Sequence, residues 1–240
     1  MGRLWGRVAA TAAALILACI SARAGDGGPN NPAFLLFAGT DLWRDGAFLN
    51  GGMLWSPGGL AREGFTFKVL LNGGLYDYPS GGPSSQIDGT LVSASAMPGW
   101  RIENDGVTLS MYVGPIVEDF RLTPFDPGSL LHGLYTGAQL STDIWYQPSP
   151  TSMVAFDGAV ASIALIGSAR AAFGWRFSTP FFVGPEVQAL WCLDYQQWRV
   201  GAHVTGFRID GLEWSAAAGL AAESDGRVGP YLRLGAFMKY

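Results

Sequence analysis

The chain has 240 residues, with 15 Lys and Arg against 19 Asp and Glu and a net charge of −4. Only 14% of its residues are charged, 49% are hydrophobic and 34 are glycine, whereas a water-soluble domain usually carries about a quarter charged residues. An acidic balance with no basic run excludes nucleic acid as a partner; two histidines and two cysteines are too few for a metal centre, and no cofactor is expected.

Residues 1–24 read as a secretory signal. Arg3 and Arg7 form a basic start, 8–20 is apolar but too short to cross a membrane, and Ala22-Arg23-Ala24 has the small-x-small form of a cleavage site. A competing reading takes Ile16-Leu17-Ala18-Cys19 as a lipoprotein box with Cys19 lipidated. Cleavage after Ala24 removes Arg3, Arg7 and Arg23, which takes the net charge from −4 by three units to −7. Cys192 is then the one remaining thiol, so no intrachain disulfide can form, and it reads as a small buried strand residue. After the signal no apolar run reaches about 18 residues, so no transmembrane helix is expected.

The remaining chain, 25–240, alternates in hydropathy with a period of two, the mark of strands with unlike faces. Strands are predicted at 34–43, 47–55 and 64–78. In the third, Phe65, Phe67, Val69 and Leu71 oppose Thr66, Lys68 and Asn72. A polar loop at 79–86 leads to a fourth strand, 88–103, interrupted by Pro98-Gly99. Asn104-Asp105-Gly106 turns into a fifth at 107–120. After a loop at 121–129 come a sixth strand at 130–146, a weak Ala-rich seventh at 153–165 with helical character, and an eighth at 168–177. Three more occupy 181–222, joined at 193–195 and 208–211. The last, 230–240, sets Leu232, Leu234, Ala236, Met238 and Tyr240 against Tyr231, Arg233, Gly235, Phe237 and Lys239.

Twelve antiparallel strands in one domain, with low charge and eight tryptophans outside the signal, predict an all-β, up-and-down barrel of outer-membrane type. Tyr240 and Met238 on the apolar parity have the form of a C-terminal insertion signal. Connections at 56–63, 104–106, 147–151, 178–180 and 208–211 would face the periplasm, and 79–86 and 121–129 the outside. Trp43, Trp55, Tyr76, Tyr78, Trp100, Trp145, Tyr146, Trp191, Tyr195 and Trp198 lie near strand ends and are expected in interfacial girdles. Val-Gly-Pro recurs at 113–115, 183–185 and 228–230. A proline in a strand removes a ladder donor, so these triplets conflict with a closed barrel unless they mark starts or bulges.

Phe182-Val183-Gly184-Pro185-Glu186, followed by Arg199-Val200-Gly201-Ala202-His203-Val204-Thr205-Gly206, resembles the BcsS family of bacterial cellulose biosynthesis proteins. Gly39-Thr40-Asp41, the stretch from Gly46 to Gly52, and Asn72-Gly73-Gly74-Leu75-Tyr76-Asp77-Tyr78 extend the likeness over nearly all of the chain after the signal. The resemblance implies an accessory role in cellulose production at the bacterial envelope. It brings no catalytic residues with it.

The inward parity carries Lys68, Glu118, Arg170, Arg176, Glu186, Arg199, His203 and Arg233. Both signs together predict ion pairs that fill the lumen, because unpaired buried charge is costly. A polar conduit or a sugar-binding lining is the functional alternative, with Glu186, Arg199 and His203 as its densest cluster. Glu118-Asp119 reads as a solvated strand end. An enzyme would have to use His203 with Thr205 or Ser215 and Glu186 as orienter; the spacing is not diagnostic, and none is expected. Partners are outer-membrane lipid and either a glucan chain or other cellulose-secretion components. The alternative architecture is a soluble periplasmic β-sandwich or lipocalin-like binder of glucan or lipid.

Overall fold

The computed structural model describes residues 31–79, 86–177, 180–193 and 195–240; the predicted signal, including Cys19, lies outside them. Twelve strands follow in chain order: β1 Phe34–Trp43, β2 Gly46–Trp55, β3 Gly64–Pro79, β4 Gln86–Asn104, β5 Val107–Thr123, β6 Gly133–Ser149, β7 Ser152–Ala161, β8 Gly167–Trp175, β9 Phe182–Cys192, β10 Tyr195–Ile209, β11 Leu212–Glu223 and β12 Val228–Lys239. Each pairs antiparallel with its neighbours in sequence, and β1 pairs with β12 to close the barrel. The seam is sealed past the last strand, where Phe34 and Tyr240 exchange backbone hydrogen bonds of 3.0 and 2.8 Å. One closed sheet replaces the two sheets that a sandwich would need.

The two parities have the predicted roles, inverted from those of a soluble protein. Outward residues such as Leu134, Val200 and Leu220 are 62–70% exposed, whereas inward Glu186, Arg199 and His203 are at most 1% exposed. An apolar exterior over a polar interior is stable only against lipid. A lipocalin-like binder would place its apolar residues on the inside.

Strand ends differ from expectation in places. β5 runs on to Thr123 and β6 occupies Gly133–Ser149, three residues later than the predicted strand, which moves the loop to 124–132. β6 passes through Pro148 by a register shift between Tyr146 and Ser149. The seventh segment is a strand and not a helix, and it stops at Ala161. Its alanines have a packing reason: Ala155 faces Trp145 across the ladder, and Ala155 and Ala161 are buried in separate lumenal clusters. Asp105-Gly106 and Asp210-Gly211 form the tight turns, all four residues at positive φ between 43° and 81°.

The strand prolines sit where a ladder is already open. Pro98 and Pro115 share one gap in the β4–β5 ladder, between Ser95↔Ile116 and Gly99↔Tyr112. Pro185 lies in the β8–β9 gap between Ala172↔Glu186 and Trp175↔Val183. Pro230 lies just past Trp43↔Tyr231, where the β1–β12 ladder ends. In all three Val-Gly-Pro triplets the glycine is on the inward parity and the proline on the lipid face. The missing N–H therefore costs no ladder bond, and the conflict with closure disappears.

Half of the expected girdle aromatics face the other way. Trp55, Trp100, Tyr146, Trp191 and Trp198 are on the outer parity; Trp43, Tyr76, Tyr78, Trp145 and Tyr195 are on the inner one. Proximity to a strand end does not choose the face; parity does.

A connection folds inward at each end of the lumen. Near the chain termini the 56–63 connection folds inward and buries Leu60 against Leu54, Met97 and Tyr112. At the opposite end, here called the mouth, Ile163 tucks between Ile116, Phe120 and Ala161. Substitution of glycine separates the faces: a Cβ at Gly184 would collide with the Phe173 carbonyl, while one at lipid-facing Gly73 meets nothing within 4 Å. Gly184→Ala should lower the temperature at which the folded band converts to the unfolded one in gel-shift assays, and Gly73→Ala should leave it unchanged.

Candidate functional site

Charged side chains line the β8–β12 side of the lumen, and register explains how they meet. Glu186 on β9 stands opposite Gly201, Gly201 opposite Gly219, and Gly219 opposite Tyr231. The two glycines leave a lane across β10 and β11. Tyr231 lies along it from β12; a Cβ at Gly201 would press on its hydroxyl and one at Gly219 on its ring. At the far end the Tyr231 hydroxyl donates to Glu186 Oε1 at 3.1 Å. Arg170 Nε at 2.9 Å and Arg233 Nη2 at 2.6 Å both donate to Oε2. One buried carboxylate thus ties β8, β9 and β12 together, and Arg170 continues the chain to Asp157 on β7 at 2.5 Å.

The expected Glu186–Arg199–His203 cluster is split. Arg199 is two residues from the Glu186 row and stands opposite Gln188, to which it donates at 3.3 Å. It also donates to Gln197 at 2.6 Å and, across the seam, to Asp41 at 2.5 Å. Its guanidinium lies between the rings of Trp43 and Tyr231, 5.0 and 5.3 Å from their centroids. His203 stands opposite Gly184, whose missing side chain lets the imidazole reach over β9 to β8. Its Nε2 is 3.1 Å from the Phe173 carbonyl, an oxygen released by the β8–β9 gap, and its Nδ1 is 2.9 Å from Thr205 Oγ1. Nε2 links β10 to β8, while Nδ1 is engaged by Thr205 on β10 itself. Glu186 does not orient this histidine.

Lys68 pairs across the lumen with Asp143 at 2.8 Å. Arg176 stands apart near the termini, donating to the Pro150 carbonyl and resting on Phe182. Glu118 is on the inward parity, as expected, but it is only 4% exposed where a solvated strand end was also expected, and its Oε2 has no hydrogen-bond partner in place of the expected ion pair; Asp119 is at the surface, paired with Arg121 at 2.8 Å. Sequence reading missed Asp41, Asp143, Asp157 and Tyr231 as partners. Their inward parity was available, but the pairing of β1 with β12 and the contact across the lumen were not. Met238 and Tyr240 are at the seam, Met238 opposite Leu36 on the outer parity.

At the mouth Arg227 binds Asp45 and Glu223, each at 2.9 Å, and Asp225. This joins the β1–β2 turn to the β11–β12 turn. Partial burial raises the Asp225 carboxyl, but the Arg227 N–H and guanidinium outweigh it and hold the group below its ordinary value.

Breaking a buried pair from one side leaves an uncompensated charge and costs about 3–5 kcal/mol. Glu186→Ala should therefore destabilise the barrel by about that much, by stranding Arg233, and Glu186→Gln by less. His203→Ala removes two hydrogen bonds and should cost about 1–3 kcal/mol. Unfolding in denaturant, followed by the gel shift, ranks the three.

The fold is similar to the β domain of the Bordetella autotransporter BrkA, at 14% identity and a TM-score of 0.52, covering 88% of this chain and 100% of that one. It is also similar to a deletion mutant of the TodX monoaromatic hydrocarbon channel, at 7% identity and a TM-score of 0.50, covering 88% and 90%. These likenesses concern the fold, which is a barrel of outer-membrane type. No curated protein sequence matches the chain. The family model of the cellulose biosynthesis protein BcsS matches residues 35–240, from β1 to the last residue. The chain belongs to the BcsS family of cellulose biosynthesis proteins.

Proposed function

We propose that this protein resides in the outer membrane and serves cellulose production there as a non-catalytic accessory, with a stoppered barrel and no open pore. One observation carries the reading: apart from Glu118 and Arg176, the charged side chains that the sequence places on the inner wall are held in ion pairs between strands or, for His203, in hydrogen bonds, while the outer wall is apolar. A general porin keeps a water-filled, charge-lined passage. Here Leu60 and Ile163 enter the lumen from opposite ends.

An acyl-transfer site is the second reading, and His203 is the residue it would need. A general base needs a free ring nitrogen facing a nucleophile. His203 Nδ1 does lie 2.9 Å from Thr205 Oγ1, the reach such a pair needs, but the two are only 1% and 9% exposed and Glu186 is held by Arg170, Arg233 and Tyr231 instead of orienting the ring, which favours a structural role. Both chain ends then face the periplasm, as in bacterial barrels, and the 44–45 and 224–227 turns face outward. Residues 1–24 serve as the export signal, and Met238 and Tyr240 as the C-terminal insertion signal.

Three results are expected. The protein fractionates with outer membranes and shifts on gels only after heating. Removal of Tyr240 lowers the amount inserted without changing expression. Loss of the gene reduces cellulose, measured by dye binding, and His203→Ala restores it wherever the variant folds. Free release with periplasmic contents, or unchanged cellulose after deletion, contradicts the proposal.

A further inference from the structure

The β1–β3 side of the lumen differs from the ion-paired side. Asn50 points inward from the middle of β2, yet it is exposed, and no hydrogen bond engages its side chain. An exposed side chain inside a barrel marks open space. Gly39 and Gly235 are the next residues along the same register row; the Asn50 amide lies over Gly39, where a Cβ would come within 2.5 Å of its Oδ1, and Ser215 Oγ lies beside Gly235. In the other direction the row continues through Asn72, Ser93 and Glu118. Asn72 donates to Ser93 Oγ at 3.0 Å, which leaves its carbonyl oxygen available. Glu118 ends the row with an acceptor oxygen that nothing satisfies.

Directly toward the mouth, the same wall carries flat rings. Phe48 lies over Gly74 and Tyr76 over Gly89; a Cβ on either glycine would fall among the ring atoms. One face of each ring therefore covers backbone, and Phe48 stacks with Trp43, their centroids 5.5 Å apart at an interplanar angle of 19°. Tyr78 continues the shelf, its ring 6.3 Å from Tyr76 at an interplanar angle of 15°. The Trp43 ring is in turn occupied by Arg199.

Amides and a carboxyl beside flat aromatic faces match a ligand with many hydroxyls and apolar ring faces. The charge pattern decides its sign. Lys68, Arg170, Arg199 and Arg233 each have a carboxylate partner, so no cation on this wall is available for an acidic polysaccharide, and Glu118 would repel one. We propose that the inner wall formed by Phe48, Asn50, Asn72 and Tyr76, with Glu118 at its end, binds an uncharged glycan segment that enters from the mouth. The choice of a β-glucan as that glycan rests on the accessory role proposed above.

The test uses the full-length processed protein, folded in detergent micelles, titrated calorimetrically with cellohexaose and separately with oligogalacturonate. Saturable binding of cellohexaose is expected, with none of the acidic oligomer. The Asn50→Ala/Asn72→Ala double variant should bind about tenfold more weakly, as should Tyr76→Ala, both with the wild-type heat shift as proof of folding. Absence of cellohexaose binding by the folded wild type overturns the assignment, as does equal binding by the folded variants or equal binding of oligogalacturonate. Cellulose yield separates this site from the broader role. If the wild type restores cellulose to a deletion strain but binds no cellohexaose, the site is wrong and the accessory role stands. If it binds cellohexaose as predicted but deletion leaves cellulose unchanged, the site stands and the accessory role falls.

Discussion

The Glu186 carboxylate, buried and held by Arg170, Arg233 and Tyr231, is the interaction on which the rest of the barrel depends. Closing the sheet with its apolar face outward leaves polar side chains nowhere to go but inward. Inside, each charge needs a partner, since an unpaired one costs several kcal/mol. Glu186 answers this for three strands at once, and Arg199 with Asp41 does the same across the β1–β12 seam. The partners come from strands far apart in sequence, so the network is complete only when the barrel is closed. Electrostatics and closure are thereby one condition.

Glycine and proline make that condition attainable. Side chains cannot reach over a neighbouring strand unless that strand gives way. Gly201 and Gly219 give way to Tyr231, and Gly184 to His203. The prolines sit in ladder gaps, and at the β8–β9 gap the opening supplies the carbonyl that His203 engages. Val183-Gly184-Pro185 is therefore a compact device: an apolar residue for lipid, an empty position for a crossing side chain, and a residue that needs no ladder partner.

Much of this architecture was legible in sequence. Period-two hydropathy located twelve strands and assigned faces correctly wherever parity was read, as in Trp198 to Thr205. Parity also marked Lys68, Arg170, Glu186, Arg199 and Arg233 as inward. What could not be read was which inward residues touch. Glu186 and Arg199 are near in sequence order but separated by register, while Glu186 and Arg233 are 47 positions apart and bonded. The face of Trp43, Tyr76 and Tyr78 was misjudged because position near a strand end was weighed above parity. Parity placed Glu118 inward as well, but it was also taken for a solvated strand end because β5 was ended at Phe120, whereas the strand runs on to Thr123 and Glu118 is buried within it.

The central claim is that paired charges and two inward-folded connections keep the lumen closed to free diffusion. Conductance in planar bilayers tests it most directly. Wild-type protein, inserted and confirmed as folded by its heat shift, should give no steady ohmic current of porin size. A large, stable, voltage-independent conductance from the wild type would contradict the account, because it would mean that the lumen is an open channel despite its ion pairs and stoppers.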